Sequence, residues 1–267
     1  MKLLFFPQRD AAYVHFEGSA AVPFEDLATA FSAANAWYLA DAALLAYWPP
    51  DEVPPAFARA GFGDTQFFTS GSTQCYVASN ERAAIVTFRG TQINEIEDGL
   101  SDADVTRGAW DGEGRVHNGF LGGLDAVWPQ LNDCLLALDG RTVWMTGHSL
   151  GAALATLAAS RWVKSGGSIG GVYTIGSPRI GDQDFASGIE AALAGKCFRY
   201  VNGEDGVTQI PFERWGYRHV GQARVLSGST DTHPLLQGLE APLIDHTPRR
   251  YATLIWNDLV QTAVQSA

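Results

Sequence analysis

The chain has 267 residues, 46% hydrophobic and 18% charged, with a formal net charge of −11. This length suits a single α/β domain over residues 1–267, with a core large enough to need no disulfide or metal staple. The acidic balance, with no Lys/Arg cluster along the sequence, argues against a nucleic-acid partner and against attraction of the average surface to a strongly anionic membrane. A neutral ester or lipid is compatible with it.

The opening MKLLFFPQRD holds a short apolar run that Pro7, Gln8, Arg9 and Asp10 end. A secretory leader needs about 7–15 apolar residues and a small-residue cleavage site. The chain therefore reads as leaderless and cytoplasmic by default, with a trimmed secreted protein as the alternative. No run of about 18 apolar residues occurs, so no spanning helix is expected.

Residues 24–48 are Ala-rich and predict a helix that Pro49 and Pro50 stop. Residues 74–78 and 83–88 read as two strands joined by the polar turn SNER, a hairpin. Residues 92–118 are polar, Gly-rich and acidic and read as a loop, whereas 119–138 have helical tendency. A regular alternation follows: strand 142–146, helix 150–164, strand 171–175, helix 182–194 and strand 197–201. Nearly continuous apolar strands between helices imply a mostly parallel sheet covered on both faces. Residues 217–226 add a late strand or hairpin, and 248–264 a final amphipathic helix. Cys75, Cys134 and Cys197 lie far apart in different elements, without metal-ligand spacing. They read as reduced, buried thiols, with one disulfide and one free thiol as the alternative.

Residues 147–151 read Gly-His-Ser-Leu-Gly, the G-x-S-x-G pattern. The pattern follows an apolar strand and opens a helix, the context in which it marks a nucleophile. A serine on so sharp a turn sits in strained backbone, and side chains at 147 or 151 would crowd it. The blander reading of Ser149 is a helix N-cap. The serine hydroxyl needs a base, and partners in this order of chain follow as acid, then histidine. His246, in the polar segment IDHTP before the last helix, is favoured; His233 is its rival, and His219 lies inside a strand-like stretch. His148 adjoins the nucleophile and should point away from it. Asp205, on the loop after strand 197–201, is the favoured acid over Glu204, Asp182, Asp184 and Asp245. Its role would be to hold the imidazole tautomer. The oxyanion donors would be the Leu150 N–H and the N–H or hydroxyl of Thr91, which follows strand 83–88.

These residues resemble a known family, the class 3 or fungal-lipase-like lipases. The resemblance runs, in order, through VTFRGT (86–91), VHNGFL (116–121), VWMTGHSLGAALATLAA (143–159), YTIGSPRIGDQDFA (173–186), RYVNGEDGVTQIP (199–211), YRHVG (217–221) and IDHTPRRY (244–251). It implies an α/β-hydrolase fold and carboxylester hydrolysis by Ser149, Asp205 and His246, with Thr91 and Leu150 at the oxyanion hole. It raises His246 above His233 and gives His117 and His219 structural roles. No cofactor and no metal are expected, and the expected partners are an ester or lipid substrate and transient contact with a lipid interface.

Two departures stand out. The lid-like segment 92–105 reads QINEIEDGLSDADV, with Ile96 where the family carries Trp and with the order Asp98-Gly99-Leu100. It is short and acidic, with Ile93, Ile96 and Leu100 as its apolar face, which weakens the case for strong interfacial activation. Val207-Thr208-Gln209 stands where the family favours Val-Pro. A phospholipase A or short-chain esterase is the alternative of the same chemistry. A catalytically silent binding module is the alternative of another class.

Overall fold

The computed structural model describes residues 13–91, 105–226 and 241–265. A seven-stranded sheet organises them, built from β1 (Asp64–Ser70), β2 (Thr73–Ser79), β3 (Ala83–Phe88), β6 (Thr142–His148), β7 (Ile169–Ile175), β8 (Cys197–Asn202) and β9 (Gln222–Leu226), in the order β1-β2-β3-β6-β7-β8-β9. The β1–β2 and β2–β3 pairs are antiparallel; the four pairs from β3 to β9 are parallel. A separate antiparallel pair, β4 (Arg107–Ala109) and β5 (Arg115–His117), occupies part of what the sequence suggested was loop.

Every residue of β3 and β7 is buried, as expected for parallel strands covered on both sides. The strand period of two sends alternate side chains to opposite layers. Val86, Phe88, Val143, Met145 and Val172 face one apolar core with α3 (Asn118–Ala137), α4 (Leu150–Lys164) and α5 (Gln183–Leu193). Ile85, Trp144, Tyr173, Phe198 and Tyr200 face the other, with α1 (Ala33–Leu45), α2 (Val53–Arg59) and α7 (Pro248–Gln265). Each large aliphatic side chain so buried contributes about 1.5–3 kcal/mol over its exposed state.

The predicted helix 24–48 begins only at Ala33. Ser32 caps it, its hydroxyl accepting the Asn35 N–H at 3.0 Å. The Asn35 amide then binds both backbone groups of Glu25, at 2.8 and 2.9 Å, which folds the preceding residues back as a turn. The expected strand or hairpin at 217–226 is a strand only from Gln222, and β1 and α2 are additional elements. The five-residue helix α6 (Ala241–Asp245) precedes α7. Cys75, Cys134 and Cys197 are buried and unpaired. The lid-like segment, except Val105, and His233 lie outside the described residues. No described helix is long and apolar enough to cross a membrane.

Candidate active site

Strand β6 ends at His148 and helix α4 begins at Leu150, so Ser149 alone makes the turn between them. Its backbone adopts φ 59° and ψ −128°, a left-handed conformation that costs a non-glycine residue of order 1–3 kcal/mol. The surroundings over-determine it: the Ser149 N–H donates to the Ile175 carbonyl at 3.0 Å, and its carbonyl accepts the Ala152 N–H at 3.0 Å. Both flanking glycines are required by space. A Cβ at Gly147 would lie 2.3 Å from the Gly151 backbone, and one at Gly151 would lie 2.2 Å from the Phe88 carbonyl oxygen. Ser149 makes no side-chain cap to its own helix, so the plain N-cap reading does not describe it.

The same contact draws the end of β3 onto the turn. At Gly90 a Cβ would meet the Tyr47 hydroxyl at 2.1 Å and the His148 carbonyl oxygen at 2.5 Å. Thr91, half-buried, is therefore the residue that follows the closest approach of this loop to the turn. The Leu150 N–H is the first of α4 and has no acceptor within the helix, and the positive end of the helix dipole lies there.

Asp205 leaves the carboxyl end of β8 and is fully buried with His246, which follows α6. The two meet at 2.8 Å, His246 Nδ1 to Asp205 Oδ2. A carboxylate accepts, so Nδ1 carries a proton, and the ring in its neutral form presents a lone pair at Nε2. That Nε2 atom is buried and has no hydrogen-bond partner among the described residues. The Asp205 carboxylate is itself held: Oδ1 accepts the Val207 N–H at 2.9 Å, and Oδ2 accepts the Tyr251 hydroxyl at 2.6 Å. Tyr251 in turn accepts the Asn202 N–H at 2.9 Å. Burial first, then the Asp205 charge and its hydrogen bond, push the Tyr251 phenol well above its ordinary value, so it stays a donor.

His148 closes the arrangement from below. Its Nε2 lies 2.7 Å from the His246 carbonyl oxygen and its Nδ1 2.8 Å from the Tyr47 hydroxyl. The carbonyl can only accept, so Nε2 carries the proton and Tyr47 donates to Nδ1. Burial, then the neighbouring His246, hold His148 well below the usual imidazole range, which keeps it neutral. The rings of His148 and His246 lie 4.5 Å apart, so the histidine from near the end of the chain sits beside the residue that precedes Ser149.

The other candidates are engaged elsewhere. Asp182 caps α5, Asp184 and Glu204 are exposed, and Asp245 accepts the Glu204 N–H at 2.9 Å. His117 caps α3, its Nδ1 accepting the Gly119 N–H at 3.0 Å, and His219 Nε2 lies 2.9 Å from the Thr208 carbonyl oxygen. Tyr47 and Tyr251 were not found from sequence. Each sits in a helical or apolar stretch, where an aromatic residue ordinarily signals core.

Residues 85–215 match the family model for lipase (class 3). A secreted mono- and diacylglycerol lipase of Fusarium solani is 30% identical over 164 residues, covering 57% of this chain and 47% of that one. A lipase of Rhizopus niveus is 31% identical over 183 residues, covering 61% of this chain and 45% of that one. The chain thus spans about half the length of the curated relatives it matches. The solved structure of lipase II from Rhizopus niveus superposes with a TM-score of 0.61 at 24% identity, covering 82% of this chain and 95% of that one, a likeness of fold. The mostly parallel sheet with helices on both faces is thus the α/β-hydrolase fold. The relative from Fusarium solani is among several named as secreted, which overturns the cytoplasmic expectation.

Proposed function

From the premise that this chain, through residues 85–215, belongs to the class 3 lipase family, we propose that it is a serine carboxylester hydrolase of the triacylglycerol-lipase kind. The observation that carries the reading is the fully buried His246–Asp205 pair at 2.8 Å, its outer nitrogen without a hydrogen-bond partner among the described residues, beside a strained serine turn.

In the proposed reaction His246 Nε2 takes the Ser149 hydroxyl proton as Oγ bonds to the ester carbonyl carbon. The carbonyl oxygen gains the negative charge, and the Leu150 N–H with Thr91 stabilises it. When the tetrahedral centre collapses, the bond to the alcohol oxygen breaks and His246 protonates the departing alkoxide. Water, deprotonated by the same nitrogen, then releases the acid and restores Ser149. Asp205, held by Tyr251 and Val207, keeps the Nδ1–H tautomer and stabilises the imidazolium. Transient contact with a lipid interface belongs to this reading.

Turnover of nitrophenyl esters of increasing acyl length, with Ser149→Ala as the control, tests it. The variant should lose activity by several orders of magnitude, and undiminished activity would reject the assignment. The short acidic segment 92–105 favours soluble or phospholipid esters over emulsified triglyceride as the runner-up substrate class. Comparing soluble butyrate ester, micellar phospholipid and emulsified long triglyceride separates these.

A further inference from the structure

The net charge of −11 conceals a local reversal at the same end of the sheet as Asp205. Beyond Asp205 the chain makes a 3-10 turn at Gly206–Gln209 and a second at Glu213–Trp215. On this loop Phe212 is 37% exposed and Trp215 43% exposed, and their rings touch at 4.8 Å. Two large aromatic rings in mutual contact at the surface are an uncommon use of apolar area. The Arg214 guanidinium lies 4.2 Å from the Phe212 ring centre and 5.5 Å from that of Trp215.

Arginines from distant parts of the chain converge on this loop and hold its shape. Arg179 donates from its backbone to the Ile210 carbonyl at 2.8 Å and from its guanidinium to the Pro211 carbonyl at 3.1 Å. Arg107 donates to the Gly216 carbonyl at 3.0 Å and covers the Tyr217 ring. Arg218 donates to the Glu213 carbonyl at 3.1 Å and lies 3.7 Å from the Glu213 carboxylate. The loop thus carries or is held by four arginines, against one acid of its own, Glu213, which Arg218 engages. Among the described residues no carboxylate lies within ion-pair distance of Arg214. Sequence inspection finds no basic cluster because positions 107, 179, 214 and 218 meet only through the fold.

We propose that this basic–aromatic loop is where the protein docks on a lipid surface bearing anionic headgroups. Phe212 and Trp215 enter the boundary between headgroups and acyl chains, where aromatic rings are favoured. Arg214, with Arg107, Arg179 and Arg218 behind it, meets the phosphates. Each cation near an anionic leaflet is worth about 1 kcal/mol, roughly fivefold in affinity, within a Debye length of about 8 Å. The acidic remainder of the surface is repelled, which turns this face toward the lipid and fixes the orientation. The inference rests on the lipid-ester reading and adds the surface that would bring the protein to such a substrate.

Co-sedimentation with phosphatidylcholine vesicles, with and without phosphatidylglycerol, tests it without any turnover. The protein should prefer the anionic vesicles, and added salt should weaken that preference. Phe212→Ala with Trp215→Ala should weaken binding about tenfold or more on both vesicles. Arg214→Glu, a change of two charges, should weaken binding to anionic vesicles by roughly 25-fold and to neutral vesicles far less. Arg214→Gln, with thermal melting of every variant, guards against a folding defect. Binding equal in the variants and the parent, no preference for anionic vesicles, or no vesicle binding would overturn the proposal; the last two would point to a protein partner. Turnover of a soluble butyrate ester by the unaltered protein tests the hydrolase reading separately, since its failure leaves the vesicle result standing.

Discussion

Two buried histidine–aspartate pairs lie in different regions of this molecule, and they are built almost alike. In one, Asp205 accepts His246 Nδ1 at 2.8 Å, the Tyr251 hydroxyl at 2.6 Å and the Val207 N–H at 2.9 Å. In the other, Asp41 on α1 accepts His15 Nδ1 at 3.0 Å, the Tyr13 hydroxyl at 2.8 Å and the Phe16 N–H at 2.6 Å. Both histidines leave a buried Nε2 without a hydrogen-bond partner among the described residues. What differs is the neighbour. The His246 ring lies tilted beside that of His148, next to the strained Ser149, whereas His15 meets the edge of Trp48 at 4.5 Å. The Asp41 pair ties residues 13–16 to α1, a clamp between two segments. An aspartate, an imidazole and a phenol together are thus a good way to satisfy buried polar groups. In the proposed reading, the constellation becomes chemical only where the strained Ser149 turn lies beside it.

The sharpest way to break this comparison is to neutralise each carboxylate in turn. Asp205→Asn turns an NH2 toward one of the donors and destroys the tautomer control. It should lower kcat about 10⁴-fold. Asp41→Asn should leave kcat within about twofold well below the melting temperature. It should cost about 1–3 kcal/mol of stability, a fall of a few degrees in Tm. Steady-state kinetics and thermal melting on both variants read the two effects apart. A comparable loss of kcat in Asp41→Asn would mean that the N-terminal clamp is part of the site.

A smaller contrast comes from the two phenols. Tyr251→Phe removes one charged hydrogen bond to Asp205, worth about 1.5–3 kcal/mol, and should lower kcat at least tenfold. KM should stay within about twofold, because Tyr251 acts through Asp205. Tyr13→Phe should lower Tm by a few degrees with kcat unchanged. If the two variants share one kinetic profile, the distinction between clamp and site fails at this level.

How much of this was legible in the sequence depended on whether the signal was local. The parallel strands are short apolar runs, and α4 was bounded correctly at 150–164 because its elbow and its closing glycines are sequence features. The G-x-S-x-G pattern located Ser149, and chain order with loop position singled out Asp205 and His246. Strand β1 escaped because its edge position leaves DTQFFTS largely exposed, with no buried face to create alternation. Helix α2 is only seven residues long and opens with Pro54 and Pro55, which the first turn of a helix tolerates but which leave little helical signal in the sequence. Tyr251 is 46 residues from Asp205 and Tyr47 is 101 from His148. Nothing in a helical apolar pattern says that a phenol will reach an acid or an imidazole. The arginines around Phe212 and Trp215 were invisible for the same reason.

The finest test concerns a histidine that has a carbonyl where the two pairs have a carboxylate. His219 donates from Nε2 to the Thr208 carbonyl at 2.9 Å, and its Nδ1 is buried without a partner among the described residues. Burial, then the charges of Arg199 and Arg179, push its pKa down to about 3. Between pH 3 and about 6.5 the unfolded imidazole binds a proton and the folded one does not. Stability from this group is therefore complete above about pH 6.5 and declines as the pH falls, by up to about 1.4 kcal/mol per pH unit. His219→Gln keeps a donor near the Thr208 carbonyl and removes the titration. The variant should melt close to the parent at pH 7.5 and hold its Tm better on acidification to pH 5. An unchanged acid slope would mean that His219 is as readily protonated in the folded protein as in the unfolded chain. It would then have to be grouped with imidazoles that have a counter-charge, not set apart from them.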